Sequence, residues 1–140
     1  MAKTVLKLDE EDQFDFILIG IVCQHKDYRL CHELNAAFKT ELVRENDLEI
    51  FNGRRMEKVS FSFYCYKTEE EDRYYLISNK SKLGFLIPEQ KQIDYFLLVR
   101  ENVKRLDEQD LMNQLKDLKV VLGTFKFDPK KLKSRDNLLF

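Results

Sequence analysis

Two apolar segments, one near each end of the chain, constrain the fold more than any other feature of this sequence. Phe14–Cys23 is apolar at both alternating sets of positions except for Asp15 and Gly20. Ile93–Arg100 has the same character around the run Phe96–Val99. A strand that is apolar on both sides is typical of a sheet covered on both faces. We therefore expect these two segments to be central strands of one sheet.

Two further segments have apolar residues at helical spacing. The first is Asp27–Phe38, for which Asp27 is the predicted N-cap residue. The second follows Asp107, which lies three residues before Asp110 and so forms an imperfect capping box. The apolar stripe of this second helix consists of Leu111, Met112, Leu115 and Leu118.

Weaker strand patterns lie between the two helices. Val59–Tyr66 alternates regularly and Arg73–Ser78 is also strand-like, so we interpret the acidic run Glu69–Asp72 between them as the tip of a hairpin. Gly84–Ile87 is a short strand that Pro88 ends, because proline cannot donate a ladder hydrogen bond. Further strands are expected at Leu48–Phe51 and Val120–Phe127.

These elements predict an α+β fold, with a mainly antiparallel β-sheet and two helices packed on one of its faces. An elaborated ferredoxin-like arrangement is one candidate topology. The chain has 140 residues, of which 44% are hydrophobic, so it can bury a substantial core. It is most simply one domain, residues 1–140, with a C-terminal tail at roughly residues 134–140.

Charge and apolar run length exclude some classes of function. The 24 basic and 25 acidic residues give a net charge of −1, which argues against a surface devoted to nucleic acid. The longest apolar run, Phe16–Cys23, is too short to span a bilayer, so we expect no membrane partner. The first residues lack the apolar segment of a secretion signal.

The cysteines indicate a reducing compartment. Cys23, Cys31 and Cys65 are odd in number, form no CxxC pair and stand among apolar residues. We expect reduced, buried thiols in a cytoplasmic protein. Cys31 belongs to the apolar stripe of its helix whereas His32 points away, so we predict no metal site. The sequence contains no phosphate-binding glycine motif, and we predict no cofactor.

The segment Ile87–Tyr95 is the most distinctive motif, because a proline-led polar turn opens directly into a buried strand. Its sequence, Ile-Pro-Glu-Gln-Lys-Gln-Ile-Asp-Tyr, resembles the signature of the IPExxxVDY family, small bacterial proteins found mainly in the Bacteroidota. Ile93 stands where the family name has valine. Other segments that resemble the family are Asp27–Cys31, Leu76–Ser81 and Leu132–Phe140.

The resemblance covers nearly the whole chain but implies no established activity. Genes of this family often neighbour the gene for ribonuclease III, which gives slight support to a contact with RNA. Fatty-acid synthesis genes lie nearby too, which suggests a contact with an acyl carrier equally well.

Our leading hypothesis is a non-enzymatic cytoplasmic adaptor that binds a protein partner through a polar surface. Three polar segments would converge there: the start of the first helix, the loop after the predicted hairpin and the proline-led turn. A plain structural role is the alternative for each, since Arg29 is placed to pair with Glu33 four residues on. The residues of this predicted surface are Asp27, Tyr28, Arg29, Asn79, Lys80, Ser81, Glu89, Asp94 and Tyr95.

Two other functions compete with this hypothesis. RNA is a possible partner if the aromatic hairpin and the basic stretch Lys126–Arg135 form one surface, although the same rings are also typical of a core. Glu89 and Asp94 would form an acid/base pair if both carboxyl groups faced one pocket. The rings of the hairpin are Phe61, Phe63, Tyr64, Tyr66, Tyr74 and Tyr75.

The C-terminal tail ends in Leu138, Leu139 and Phe140. Three exposed apolar residues at a terminus would be a liability. We expect the tail to dock back onto the body of the protein, with recognition of another chain as the alternative. Nothing in the sequence indicates an oligomeric state.

Overall fold

The computed structural model describes residues 13–54 and 56–140. The first residues, where we expect no secretion signal, lie outside this part. The helices are α1 (Asp27–Phe38) and α2 (Glu108–Lys116). The strands are β1 (Ile17–Val22), β2 (Val43–Arg44), β3 (Leu48–Asn52), β4 (Glu57–Phe61), β5 (Phe63–Lys67), β6 (Arg73–Ser78), β7 (Lys80–Ser81), β8 (Gly84–Phe85), β9 (Tyr95–Arg100) and β10 (Gly123–Phe127).

Six strands form the main sheet in the order β10-β1-β9-β6-β5-β2, and every neighbouring pair is antiparallel. The α+β prediction is confirmed. Four strands of the main sheet, β1, β6, β9 and β10, alternate with the two helices along the chain in the order β-α-β-β-α-β. Their spatial order, fourth, first, third, second, is that of the ferredoxin-like arrangement. Strands β5 and β2 extend this sheet beyond β6.

One face of the sheet, called here the helix face, is covered by α1 and α2. The inward residues of β1 and β9 pack there against the apolar stripes of both helices, as the alternation of strand side chains requires. Asp107 caps α2 as predicted, because its Oδ1 accepts hydrogen bonds from the backbone N–H groups of Gln109 and Asp110. The prediction for α1 was wrong by one residue, since Lys26 is the N-cap and Asp27 is already helical.

The opposite face, called here the second face, is covered by irregular segments. Two small antiparallel pairs, β3–β4 and β7–β8, lie there with the C-terminal residues. Three short 3₁₀-helices connect these covers: Pro88–Gln90, Pro129–Lys131 and Arg135–Leu138. The second core also contains side chains that are almost fully buried, among them Phe61, Phe96 and Leu138.

Gly20 is required where β1 meets the second core. A Cβ atom at this position would lie 2.5 Å from Cε2 of Phe127 and 2.8 Å from Cδ1 of Ile93. Real Cβ contacts are never this short, so a side chain at residue 20 would force the phenylalanine ring and Ile93 apart. The glycine that interrupts the apolar run of the sequence therefore makes room for the ring of Phe127.

The predicted strand Val59–Tyr66 is two strands that belong to different sheets. β4 pairs with β3 over the second face, whereas β5 pairs with β6 in the main sheet. Ser62 separates them, yet the alternation continues: Phe61 and Phe63 face the second core and Tyr64 faces the helix core. The hairpin of β5 and β6 around the acidic tip is confirmed. Within the described residues, neither helix has the length and apolar character needed to cross a bilayer.

Candidate functional site

Much of the predicted polar surface makes hydrogen bonds and ion pairs within the chain at one end of the sheet. Asn79, Lys80 and Asp94 form one group of such contacts, called here the clasp. Its centre is Asn79, which is completely buried directly after β6. Its Nδ2 donates to the carbonyl groups of Gln90 and Ile93, both at 2.8 Å, and its Oδ1 accepts from the N–H of Ile87, also at 2.8 Å. One amide therefore holds both ends of the proline-led turn. We expected Asn79 on a contact surface, and its burial corrects that expectation.

Asp94 and Lys80 belong to the same clasp. Oδ2 of Asp94 accepts a hydrogen bond of 2.9 Å from the N–H of Cys23 at the end of β1. Its Oδ1 lies 2.6 Å from Nζ of Lys80. Both oxygens of Asp94 thus have partners within the chain, and the carboxylate links three strand ends. Ser81, beside Lys80, is half-buried and pairs with Gly84 in the β7–β8 ladder.

Tyr95 is buried, so it is not part of an accessible surface. Its hydroxyl donates a hydrogen bond of 2.8 Å to the carbonyl of His25, in the loop that leads to α1. Burial, and next the proximity of the ionisable groups of Cys23 and Asp27, raise the pKa of the Tyr95 hydroxyl well above its ordinary range. This tyrosine is therefore a neutral hydrogen-bond donor at physiological pH.

The start of α1 carries the exposed part of the predicted surface. Tyr28 is exposed, and Arg29 pairs with Glu33 at 3.4 Å. Oδ2 of Asp27 lies 2.7 Å from Nη1 of Arg44 on β2. The ion pair of Arg29 with Glu33 is the contact that the structural alternative predicted, whereas Asp27 pairs with Arg44 and does not cap the helix.

Glu89 does not join the clasp but holds the C-terminal tail. Its two carboxylate oxygens accept hydrogen bonds of 2.8 Å from the N–H and the hydroxyl of Ser134. Burial alone would raise the pKa of this carboxyl group, but the hydrogen bonds from Ser134, from its own amide and from Lys133 lower it. Glu89 and Asp94 thus have separate partners, and neither lines any of the three cavities described among residues 13–54 and 56–140. This arrangement does not favour the acid/base hypothesis.

The C-terminal tail docks onto the second face, as we expected. Leu138 is completely buried, and Leu139 packs against the second core. Phe140 is partly exposed, but its ring contacts the rings of Phe63 and Tyr75 edge-on at centroid distances of 4.9 and 5.0 Å. The side chain of Asn137 adds a hydrogen bond of 2.8 Å to the carbonyl of Leu86.

Most aromatic rings of the β5–β6 hairpin are engaged in packing. Tyr64, Tyr66 and Tyr74 pack in or against the helix core, while Phe61 is buried in the second core. This packing does not favour the RNA hypothesis, because stacking on bases requires exposed rings. In the basic stretch, Lys126 pairs with Glu108 at 2.7 Å and the guanidinium of Arg135 lies over the ring of Phe14. The exposed lysines of the stretch are Lys130, Lys131 and Lys133.

The thiols are less uniform than we expected. All three are free and Cys23 and Cys31 are buried, but Cys65 is only half-buried. Burial raises the pKa of each thiol, which disfavours the reactive thiolate. Within the described chain, no three histidine, cysteine or acidic side chains are grouped as metal ligands.

Asp72 has a structural role that the sequence analysis did not predict. It closes the acidic run Glu69–Asp72, yet it is buried. Its Oδ1 accepts a hydrogen bond of 2.8 Å from the N–H of Asn102, and its Oδ2 pairs with Arg105. Asp72 therefore holds the loop after β9, just as Asn79 holds the loop before it. A carboxylate in a run of four gives no signal that distinguishes it from its exposed neighbours.

The feature most suited to binding is an open cavity of about 970 Å³ on the second face, called here the groove. It lies between the β3–β4 pair, the β7–β8 pair and the 3₁₀-helix at Pro88. Two of its apolar side chains are largely exposed, Phe51 at 60% and Leu83 at 45%. Its lining residues are Ile50, Phe51, Gly53, Arg54, Val59, Phe61, Leu83, Gly84, Phe85, Pro88, Lys91 and Asn137.

The groove was missed because its lining comes from four separate parts of the chain. One local signal was available, since Phe51 shares its side of β3 with the exposed Glu49, whereas Leu48 and Ile50 are half-buried on the other side. An aromatic residue on the charged side of a strand indicates an exposed ring. No protein-family model, curated protein or solved structure matches the chain. The resemblance to the IPExxxVDY family therefore stays a prediction from the motif.

Proposed function

We propose that the protein is a non-enzymatic binding module that holds an extended segment of a partner protein in the groove. The observation that carries this proposal is the pair of exposed apolar side chains Phe51 and Leu83, one from each hairpin, over a cavity of about 970 Å³. Apolar and aromatic side chains at the centre of a concave surface are typical of binding sites. Three free thiols fit a reducing, cytoplasmic setting for this interaction.

Charge favours a segment that contains an acidic residue among apolar ones. Lys91 is a cationic residue that lines the groove, and no acidic side chain is among the described lining residues. Nζ of Lys91 lies 5.9 Å from the ring centre of Phe85, so this charge sits directly beside the apolar floor. A carboxylate of the partner would be attracted to this rim while neighbouring apolar side chains enter the groove.

The same lining supports a role without catalysis. Among the described lining residues there is no histidine, cysteine, serine, threonine or carboxylate. Lys91 is the one described lining residue of a type that can act as a nucleophile or general base, and none of these other side chains stands beside it in the lining to activate it. Asn137, the one amide in the lining, already donates to the carbonyl of Leu86.

The proposal is tested by proximity capture in the native cell. A photo-crosslinking residue in place of Leu83 should link to one partner segment, and mass spectrometry should place an acidic residue in that segment. Phe51→Glu should abolish the crosslink, because it puts a carboxylate between apolar walls and repels the acidic segment.

Val103→Glu is the matched control, since Val103 is equally exposed at 64% but lies in the loop after β9, away from the groove. It should leave the crosslink intact. Equal crosslinking by the Phe51→Glu variant, with unchanged melting temperature, would contradict the proposal, as would a crosslinked segment that has only basic and polar residues.

A further inference from the structure

The two edges of the main sheet differ in how they end. At one edge, β2 consists of only Val43 and Arg44, which offers a second chain little backbone to pair with. At the other edge, β10 is five residues long and pairs with β1 alone within the described part of the chain. Its outer backbone groups therefore form a template for another strand.

The β10 edge carries exposed apolar side chains. Leu122, which leads into the strand, is 65% exposed, and Phe125 at its centre is 48% exposed. Phe125 is opposite Gly20 in the β1–β10 register, and Phe127 is opposite Leu18, so both rings lie on the second face. The ring of Phe127 is packed in the core there and occupies the space over Gly20, whereas the ring of Phe125 lies beside Gly123 and projects at the rim.

The usual protection of an edge strand is lacking at β10. The strand contains no proline, and its single charge, on Lys126, is drawn onto α2 by the ion pair of 2.7 Å with Glu108. The following residue Asp128 is likewise engaged, because its Oδ1 accepts from the N–H of Lys130 at 3.1 Å. Because both charges are engaged within the chain, neither one hinders the approach of another strand to the outer edge of β10.

The strand is also compatible with a copy of itself. An antiparallel pairing of two β10 strands about a twofold axis at Phe125 places the two Phe125 rings side by side on the same face. In this register Thr124 is opposite Lys126 of the other copy, and Gly123 is opposite Phe127. No like charges oppose each other, and the small glycine leaves space beside the large ring.

We propose that the protein forms a symmetric dimer through antiparallel pairing of β10 with β10 of a second copy, centred on Phe125. The two six-stranded sheets then continue as one sheet across the axis. The rings of Phe125 form a cross-strand aromatic pair, which is among the pairs that stabilise antiparallel strands most. This interface is separate from the groove and does not depend on the function proposed for it.

Sedimentation velocity over a wide concentration range tests the dimer. The wild-type protein should sediment as a dimer, and Phe125→Glu and Phe125→Lys should each be monomeric, because like charges then meet at the axis. An equimolar mixture of the two variants should regain the dimer, since Glu faces Lys across the axis. Recovery in the mixture also shows that both variants are folded.

Phe51→Glu is the matched control, because it replaces another exposed phenylalanine of a strand outside β10 and should leave the dimer unchanged. A monomeric wild-type protein at all concentrations would overturn the proposal and leave the edge to a strand of a different protein. A dimeric Phe125→Glu variant would overturn it too, and so would a mixture that stays monomeric.

Discussion

The two faces of the sheet are covered in physically different ways. On the helix face, two regular helices place apolar stripes against β1 and β9. This contact requires little more than apolar residues at helical spacing. On the second face, short strands, 3₁₀-helices and the tail are attached by single polar side chains such as Asn79, Glu89 and Asn137. A regular element satisfies its own backbone, whereas an irregular segment needs partners for its N–H and C=O groups.

This difference explains where the groove lies. Two helices can pack closely against a sheet along most of their length, and the cavity beside Ile17, Val99 and Glu108 on the helix face measures only about 280 Å³. Two small hairpins and a turn meet only at a few points, which leaves a cavity between them. Attachment at a few points allows an open groove. It also means that the covering of the second face is stabilised by a few hydrogen bonds, whereas the helices on the helix face are held by buried apolar area.

The largest effect expected from this comparison is that of Asn79→Leu. Leucine has a similar volume but leaves the N–H of Ile87 and the carbonyl group of Ile93 buried without partners, while the carbonyl of Gln90 keeps its hydrogen bond from the N–H of Ile93. Each such orphaned group costs about 1–3 kcal/mol, so we expect a loss of about 4 kcal/mol in the free energy of unfolding. Urea denaturation measures this loss.

Asn102→Leu is the control, because the side chain of Asn102 makes an exposed hydrogen bond of 3.2 Å to the carbonyl of Glu70. Its effect should stay below about 1 kcal/mol. If Asn79→Leu costs no more than this control, the second face does not depend on its polar attachment.

A smaller effect is expected from Glu89→Gln, which weakens the attachment of the tail. At pH 7 we expect a loss of about 1 kcal/mol, because the hydrogen bonds to Ser134 are charge-assisted but exposed. The pKa of Glu89 is lower in the folded protein than in the unfolded chain, where it is about 4.3. The contribution of the charge is therefore present above pH 4.3 and is lost as the pH falls through the folded value.

The difference between wild type and Glu89→Gln should accordingly shrink on acidification below pH 4.3. Thermal unfolding at several pH values measures it. Glu69→Gln at the exposed tip of the acidic run serves as control and should change little at any pH. An equal difference between wild type and Glu89→Gln at pH 3 and pH 7 would mean that ionisation of Glu89 does not contribute.

The smallest effect, and one of opposite sign, is expected from Thr124→Val on the helix face. Thr124 is buried, and its hydroxyl has no hydrogen-bond partner in the described structure. Valine has the same shape without the polar group, so we expect stability to rise by up to about 1 kcal/mol. Thr40→Val is the control that should lose stability, because the Thr40 hydroxyl donates to Asn35 at 2.8 Å. A loss at Thr124 equal to that at Thr40 would show that the helix face also holds a polar attachment.

The contrast between the faces also governs what the sequence could predict. Helix α1 was predicted with its observed bounds and α2 with its cap, because periodicity and capping are local properties of regular elements. The break at Ser62 was not predictable, since the alternation of side chains passes through it unchanged. Its cause is that β4 pairs with β3, the strand just before it in the chain, whereas β5 pairs with β6.

The candidate site was harder to predict than the fold. The motif around Ile87–Tyr95 was recognised as distinctive, but its polar residues were expected on a surface. Asn79 stands in a polar sequence, and only the positions of Ile87, Gln90 and Ile93 in space show that it is enclosed. The groove joins residues from β3 to the tail, and no local pattern connects segments so far apart.

The central position of β1 has a consequence for how the protein is made. Its two neighbours, β9 and β10, both come from the last third of the chain, with Ile19 placed between Leu97 and Lys126. Synthesis proceeds from the N-terminus, so a nascent chain emerges from the ribosome with its most apolar strand unpaired. Folding of the main sheet is therefore completed only after β10 has been synthesised, and a product terminated before β10 would expose β1 to chaperones and proteases.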